Sequence, residues 1–246
     1  MDISAVCEKK SQAEALYEMD GISRIFHPGN TLPYIFREDA AKECEAMLSM
    51  PRLLARSIDG LGFLRRRGYK GEIYADHTLY TFNKASRGFL RSLGVSFDTA
   101  PLELTFRELE ARGMEGSELM IYGRVPMMIS AGCVFRNTHD DRCEKDIEKG
   151  HELTLTDRTD TDFPVICFCR SCYNVIYNSV PLSLHAHADK ISRLSPSSVR
   201  LYFTTESPHE TKETAGYFIR LIKDRVYDAA PPYSSYTGGH FIKKTE

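Results

Sequence analysis

No apolar run in this 246-residue chain approaches the roughly 20 residues that a membrane-spanning helix needs, so a helical membrane protein is not expected. Excess charge of one sign is also missing: 32 Lys and Arg against 34 Asp and Glu leave a formal charge of −2. That balance excludes a whole-protein attraction to nucleic acid or anionic membrane and leaves only local patches for such partners. The opening Met1-Asp2-Ile3-Ser4 lacks the charged-then-apolar profile of a secretory signal, which makes the cytoplasm the expected compartment. There is no low-complexity tract, no convincing internal repeat and no HExxH helix of the zinc peptidases. Seven cysteines, an odd number, fit a closed disulfide framework poorly. In a reducing compartment they stay free for metal or redox chemistry.

What is present in the first half is an alternation of short apolar runs and helical patterns. Ile3–Cys7, Ile22–Phe26, Glu72–Tyr80 and Val95–Phe97 read as strands. Helices are expected from Gln12 to Met19, from Asp39 to about Leu48, from Lys84 to Leu93 before Gly94, and from Thr105 to Ala111 before Gly113. Leu119–Ile129 reads as one buried strand, bent or placed at an edge because Pro126 cannot donate to a ladder. This pattern predicts an α/β fold with a parallel sheet of about four βα units, half of a closed (β/α) barrel. After Ser130 the pattern changes. Residues 133–150 read as a polar loop, and Leu153–Leu155 with Phe163–Phe168 as a hairpin around Asp157-Arg158-Thr159-Asp160. Val199–Thr204 reads as a strand and Lys212–Tyr227 as an amphipathic helix. The expected division is a partial barrel over 1–130 and a cysteine-rich, metal-binding C-terminal region over 131–246.

Cys133, Cys143, Cys169 and Cys172 lie within forty residues, with Cys167 beside them. Cys169-Arg170-Ser171-Cys172 is a CxxC, a spacing that lets one turn present two thiolates to one metal. Four thiolates at loop positions suit tetrahedral zinc or an iron–sulfur cluster, and the spacing does not choose between them. The competing reading is a set of ordinary buried thiols, which is preferred for the isolated Cys7 and Cys44. Cys167 alternates in phase with Cys169 on a strand, so either can be the ligand and the other its neighbour.

A series of motifs then occurs in a fixed order. Tyr74-Ala75-Asp76-His77-Thr78-Leu79-Tyr80-Thr81-Phe82-Asn83 is followed by a helix and Leu93-Gly94-Val95. Pro101-Leu102-Glu103-Leu104-Thr105 comes next, then Tyr122-Gly123-Arg124-Val125-Pro126-Met127-Met128 leading into Cys133. Thr156-Asp157-Arg158, Phe163-Pro164-Val165, Tyr177-Asn178-Ser179-Val180-Pro181-Leu182-Ser183-Leu184 and the terminal Tyr236-Thr237-Gly238-Gly239-His240-Phe241 complete it. In these motifs the chain resembles peptidase family U thirty-two, the collagenase-like peptidases, over roughly residues 70 to 241. The family includes proteins required for prephenate-dependent hydroxylation of RNA and for anaerobic ubiquinone hydroxylation.

The resemblance implies a TIM-like barrel, partial or complete, and a [4Fe–4S] cluster on four cysteines, here Cys133, Cys143, Cys169 and Cys172. The chain departs from the family at Pro126, where many members carry a further cysteine, and in lacking the N-terminal half of the usual barrel. A partner subunit or a missing N-terminal segment is therefore expected to complete the sheet, with the first strand at an exposed edge. A substrate pocket at the carboxyl ends of the strands would lie near Asn83, Glu103 and Arg124, the last able to bind a carboxylate or phosphate bidentately.

Three functions follow as expectations. The first is an iron–sulfur protein acting in hydroxylation of RNA or a quinone-like aromatic. The second is a peptidase. His139, His151, His185, His187, His209 and His240 are available, but none forms a recognisable motif with a cysteine. The third is a zinc-stabilised, non-catalytic scaffold.

Overall fold

The computed structural model describes residues 1–139, 150–227 and 229–242. Strands β1 (Asp2–Cys7), β2 (Arg24–Phe26), β3 (Arg52–Ala55), β4 (Glu72–Ala75), β5 (Val95–Thr99) and β6 (Ser117–Gly123) alternate with helices α1 (Lys10–Leu16), α2 (Glu38–Cys44), α3 (Ile58–Arg66), α4 (Lys84–Ser92) and α5 (Phe106–Arg112). The chain then leaves this pattern for β7 (Pro126–Ser130), α6 (Val134–Thr138), β8 (His151–Thr156), β9 (Asp162–Phe168), β10 (Tyr173–Tyr177), β11 (Leu182–Ser183) and α7 (Ala188–Leu194). It returns through β12 (Ser198–Phe203) and α8 (Pro208–Ile219).

Seven parallel strands form one sheet in the order β2-β1-β12-β6-β5-β4-β3, with the short β11 added antiparallel to β6. The two ends of that order nearly meet. After β2 the chain reaches β3, where Thr31 bridges Leu54, Leu32 N–H donates to Leu54 O (2.8 Å) and Leu54 N–H donates to Asn30 O (3.0 Å). The sheet is therefore a nearly closed barrel with fewer strands than the eight of a complete (β/α) barrel. Local chemistry places the helices. Ser57 caps α3, Thr105 and Glu108 form a capping box on α5, and Ser207 and Glu210 form one on α8, with Pro208 in the first turn.

Three expectations are corrected. The parallel sheet is more than half a barrel, and its first strand is not an exposed edge: β1 pairs with β12 on one side and β2 on the other. The unit β3–α3 escapes the apolar pattern because its strand offers only Leu53, Leu54 and Ala55 before Arg56. The seventh strand is supplied from far along the chain, so residues on both sides of position 130 build one sheet. Leu119–Ile129 is likewise not one strand. It divides at Gly123 (φ +139°), where a Cβ would meet Tyr202 O at 2.3 Å. Pro126 then starts β7 in a different sheet, of order β7-β10-β9-β8. No helix among the described residues is long and apolar enough to cross a membrane.

The barrel interior holds a buried ion network. Arg200, fully buried in mid-strand on β12, reaches across to Asp76 after β4 (Nη1 to Oδ1, 2.7 Å) and to Glu118 on β6. Arg56 after β3 binds Glu8 after β1 with both Nη atoms (2.5 and 3.3 Å) and Asp76 through Nε (3.2 Å). Burial alone would raise the Asp76 pKa. His77, Arg200 and Arg56 overcome this and hold the carboxyl well below the usual range. Glu118 is also held low: Arg200, Ser198, Ser4 and Arg24 outweigh the effect of burial.

Removing one partner from such a network leaves uncompensated buried charge, which typically costs about 3–5 kcal/mol. Arg200→Met should therefore lower the urea midpoint sharply or prevent folding, and equilibrium denaturation checks this. The same network fixes a pH dependence. Asp76 and Glu118 have folded pKa values below their ordinary 3.8 and 4.5. Their stabilisation is complete above those ordinary values and is lost as pH falls through and below them. Wild-type stability should decline between about pH 5 and pH 3, and a urea midpoint constant over that interval would contradict the assignment.

Candidate metal centre

The cysteine sites are built by the second sheet. β9 ends at Phe168, the chain turns through residues 169–172, and β10 starts at Tyr173, which pairs with Phe168. Ser171 N–H donates to Phe168 O (3.1 Å), and Cys172 takes a left-handed φ of +53° at the end of the turn. The CxxC thus occupies the two ends of a hairpin turn. Cys133 arrives from β7 and caps α6, its Sγ accepting from Arg136 N–H at 3.4 Å. Asn174 fixes this loop to β10 by donating its Nδ2 to Ser130 O (3.3 Å) and Gly132 O. Cys167 sits inside β9, opposite Asn174 on one side and His151 on the other.

Through these local constraints Cys133, Cys167, Cys169 and Cys172 line one cavity of about 20 Å³ together with Phe168, Tyr173 and Asn174. The Phe168 and Tyr173 rings stack at 4.9 Å and give the cavity an apolar wall. Among the described residues, no group of three or more His, Cys, Asp or Glu stands close enough to hold an ion. Cys143, expected as a fourth ligand, lies outside the described residues. Cys7 and Cys44 are buried away from this cavity, as expected for ordinary core thiols.

The protease chemistry can be tested on the same geometry. A cysteine nucleophile needs a thiol pKa lowered by a neighbouring base. Cys167 lies opposite His151 across the ladder, but burial pushes its thiol up to about 11; Phe135 N–H opposes the shift and the Cys133 and Cys169 thiols add to it. Ser183 Oγ lies 2.8 Å from His185 Nδ1, yet its hydroxyl also meets Tyr233 OH at 2.7 Å and the residue is only 2% exposed. That serine is a link in a packed chain, with Tyr217, Tyr233 and Tyr236 arranged around the imidazole. His185 and His187 lie in a helical turn, not on a strand.

Asn83, Glu103 and Arg124 all follow carboxyl ends of strands, and none of them lines the cysteine cavity. Asn83 is the N-cap of α4, its Oδ1 accepting from Ser86 N–H (2.9 Å). Glu103 has one carboxylate oxygen buried without a hydrogen-bond partner among the described residues. Arg124 donates to Thr205 Oγ1 (3.2 Å), Asn178 O (3.0 Å) and Ser179 O, so it braces loops. Thr205 in turn lines a second cavity of about 260 Å³, with Glu152, Leu153, Thr154, Pro164 and Val165. Lys9 closes in on the same place, binding Glu152 (2.8 Å) and Thr205 O (3.2 Å).

The residues that sequence reasoning missed fill the barrel mouth. Tyr202 OH donates to Glu8 and lies 3.0 Å from Tyr34 OH and 3.4 Å from Tyr177 OH. The Arg56 guanidinium lies 4.2 Å from the Tyr34 ring centroid. The available signal was a charged residue directly after an apolar strand, as in Cys7-Glu8, Ala55-Arg56 and Ala75-Asp76.

Exposure orders the thiols. With metal removed, a water-soluble thiol reagent should label exposed Cys172 first and the half-buried Cys133 and Cys169 next. Buried Cys7, Cys44 and Cys167, whose pKa values are all raised by burial, should react only on unfolding. Peptide mass spectrometry of timed samples reads the order, and early labelling of Cys167 would contradict it.

No protein-family model, curated protein or solved structure matches the chain.

Proposed function

We propose that this chain is an iron–sulfur protein of the U thirty-two, collagenase-like type, acting in the cytoplasm in hydroxylation of RNA or of a quinone-like aromatic. The observation that supports this reading is the set of four cysteines lining one cavity beside an apolar Phe168–Tyr173 wall. The donor set fits in kind, since thiolates are the ligands of iron–sulfur clusters. Cys133, Cys169 and Cys172 would serve as ligands, with Cys143 or Cys167 as the fourth. When bound, a [4Fe–4S] cluster supplies one-electron redox chemistry. The protein's own part is to hold the Cys133 loop through Asn174, and to shield the site from water with Phe168 and Tyr173.

The peptidase alternative is weaker on two counts. Cys167 is a buried thiol with a raised pKa, and Ser183 is shielded from substrate. A zinc-stabilised scaffold is the second reading. It is favoured by a barrel mouth filled with Glu8, Arg56 and Tyr202 where an enzyme of this shape usually opens its pocket.

Anaerobic purification with quantification of iron, acid-labile sulfide and zinc separates the two. The expected result is iron and sulfide in wild type, both lost in Cys172→Ser together with restoration of RNA hydroxylation in a strain lacking the gene. Stoichiometric zinc without sulfide would favour the scaffold. Metal-dependent cleavage of a peptide library, abolished in Cys172→Ser, would favour the peptidase.

A further inference from the structure

The loop after β4 presents an unusual surface. Tyr80 and Phe82 are 52% and 41% exposed, and their rings lie parallel, 1° apart in plane with centroids 5.8 Å apart. Between them Thr81 is buried and tightly held. Its hydroxyl donates to Asp98 Oδ2 (2.8 Å) and accepts from Arg112 Nη2 (2.8 Å), and its carbonyl accepts from Arg112 Nε (2.5 Å). On either side of this anchor the two aromatic residues point outward. Tyr80 holds φ +49° and ψ +57°, a left-handed conformation that a bulky L-residue adopts at a cost. Packing does not explain that cost, because the ring is mostly in solvent.

The charge of the segment points in one direction. From His77 to Gly94 there is no Asp or Glu, while Lys84, Arg87 and Arg91 are present. Arg87 is engaged by Asp98 and two carbonyls, but Lys84, at the first position of α4 beside the rings, is exposed. Two exposed rings next to a cation, over a carboxylate, Asp98, that is buried and paired with Arg87 and Arg112, are the elements by which single-stranded nucleic acid is held: bases stack on the rings and phosphate approaches the cation.

We propose that Tyr80 and Phe82, with Lys84, form a stacking platform for unpaired bases of single-stranded RNA on the carboxyl-end face of the barrel. This inference rests on the RNA reading of the function and specifies where that substrate is gripped.

The test is fluorescence anisotropy with a labelled single-stranded oligouridylate and a duplex RNA of equal length, using the full metal-loaded chain. Wild type should prefer the single strand. The double variant Tyr80→Ala/Phe82→Ala should weaken single-strand binding by about tenfold or more. Its dependence of log Kd on log salt should stay unchanged, because stacking releases no counterions, whereas Lys84→Ala should lower that slope by about 0.7. Tyr80→Phe and Phe82→Tyr should retain binding, and the metal content of every variant should equal that of wild type. Single-strand binding unaffected by the double alanine variant would overturn the platform and leave the RNA reading standing. Binding of the duplex but not the single strand would overturn the platform alone, and failure of wild type to bind either RNA would overturn both. A change in oligomeric state of the double variant by light scattering would assign the rings to contact between copies and also overturn the platform.

Discussion

Arg200 must sit inside the barrel, and the rest of the architecture depends on how its charge is met. It lies in mid-strand on β12, separated from β4 by β6 and β5 in the sheet, yet it binds Asp76 beyond β4 directly. That bond crosses the interior. It ties the last strand of the barrel to one encoded more than a hundred residues earlier, and Arg56 extends the tie to Glu8 and β1. Apolar side chains would fill the same volume without specifying which strand closes the ring. The ion network penalises any other arrangement, because a misplaced β12 leaves several buried charges unpaired.

Fixing β12 also fixes what lies between it and β6. Residues 124–197 are an excursion whose two ends are adjacent strands of the barrel. The second sheet is held against the carboxyl ends of the strands by Tyr173 and Tyr177, which meet Tyr34 and Tyr202 there. The cysteine turn follows directly from Phe168 and precedes Tyr173, so the residues that dock the sheet also shape the thiol cavity. Structural and chemical roles are joined at Tyr173: one side of the residue faces the buried ion network and the other the cysteines.

The features visible in the sequence are those set by neighbours in the chain. Helix α4 was readable from the Gly94 that follows it, and α5 from Thr105 and Gly113. The β8–β9 hairpin was readable from Asp157–Asp160, and the CxxC pair from its own spacing. What escaped is set by residues far apart. Four-residue β3 carries too short a pattern to register, and β12 gives no sign that its partners are β1 and β6. The end of β6 at Gly123 reflects the approach of Tyr202, which no local pattern records. Cys167 joined the cavity by its position in β9, whereas Arg124, expected at a substrate, is engaged by loop carbonyls. The barrel-mouth tyrosines looked like scattered aromatics until the sheet brought them together.

On the proposed function, thiolates of this one cavity share a metal centre. X-ray absorption at the metal edge, on protein purified without oxygen, tests it most directly. The expected result is iron with a shell of sulfur neighbours at roughly the 2.3 Å typical of metal–thiolate bonds, diminished in Cys169→Ser and unchanged in Cys44→Ser. A first shell of nitrogen and oxygen, or a sulfur shell unaffected by Cys169→Ser, would contradict it.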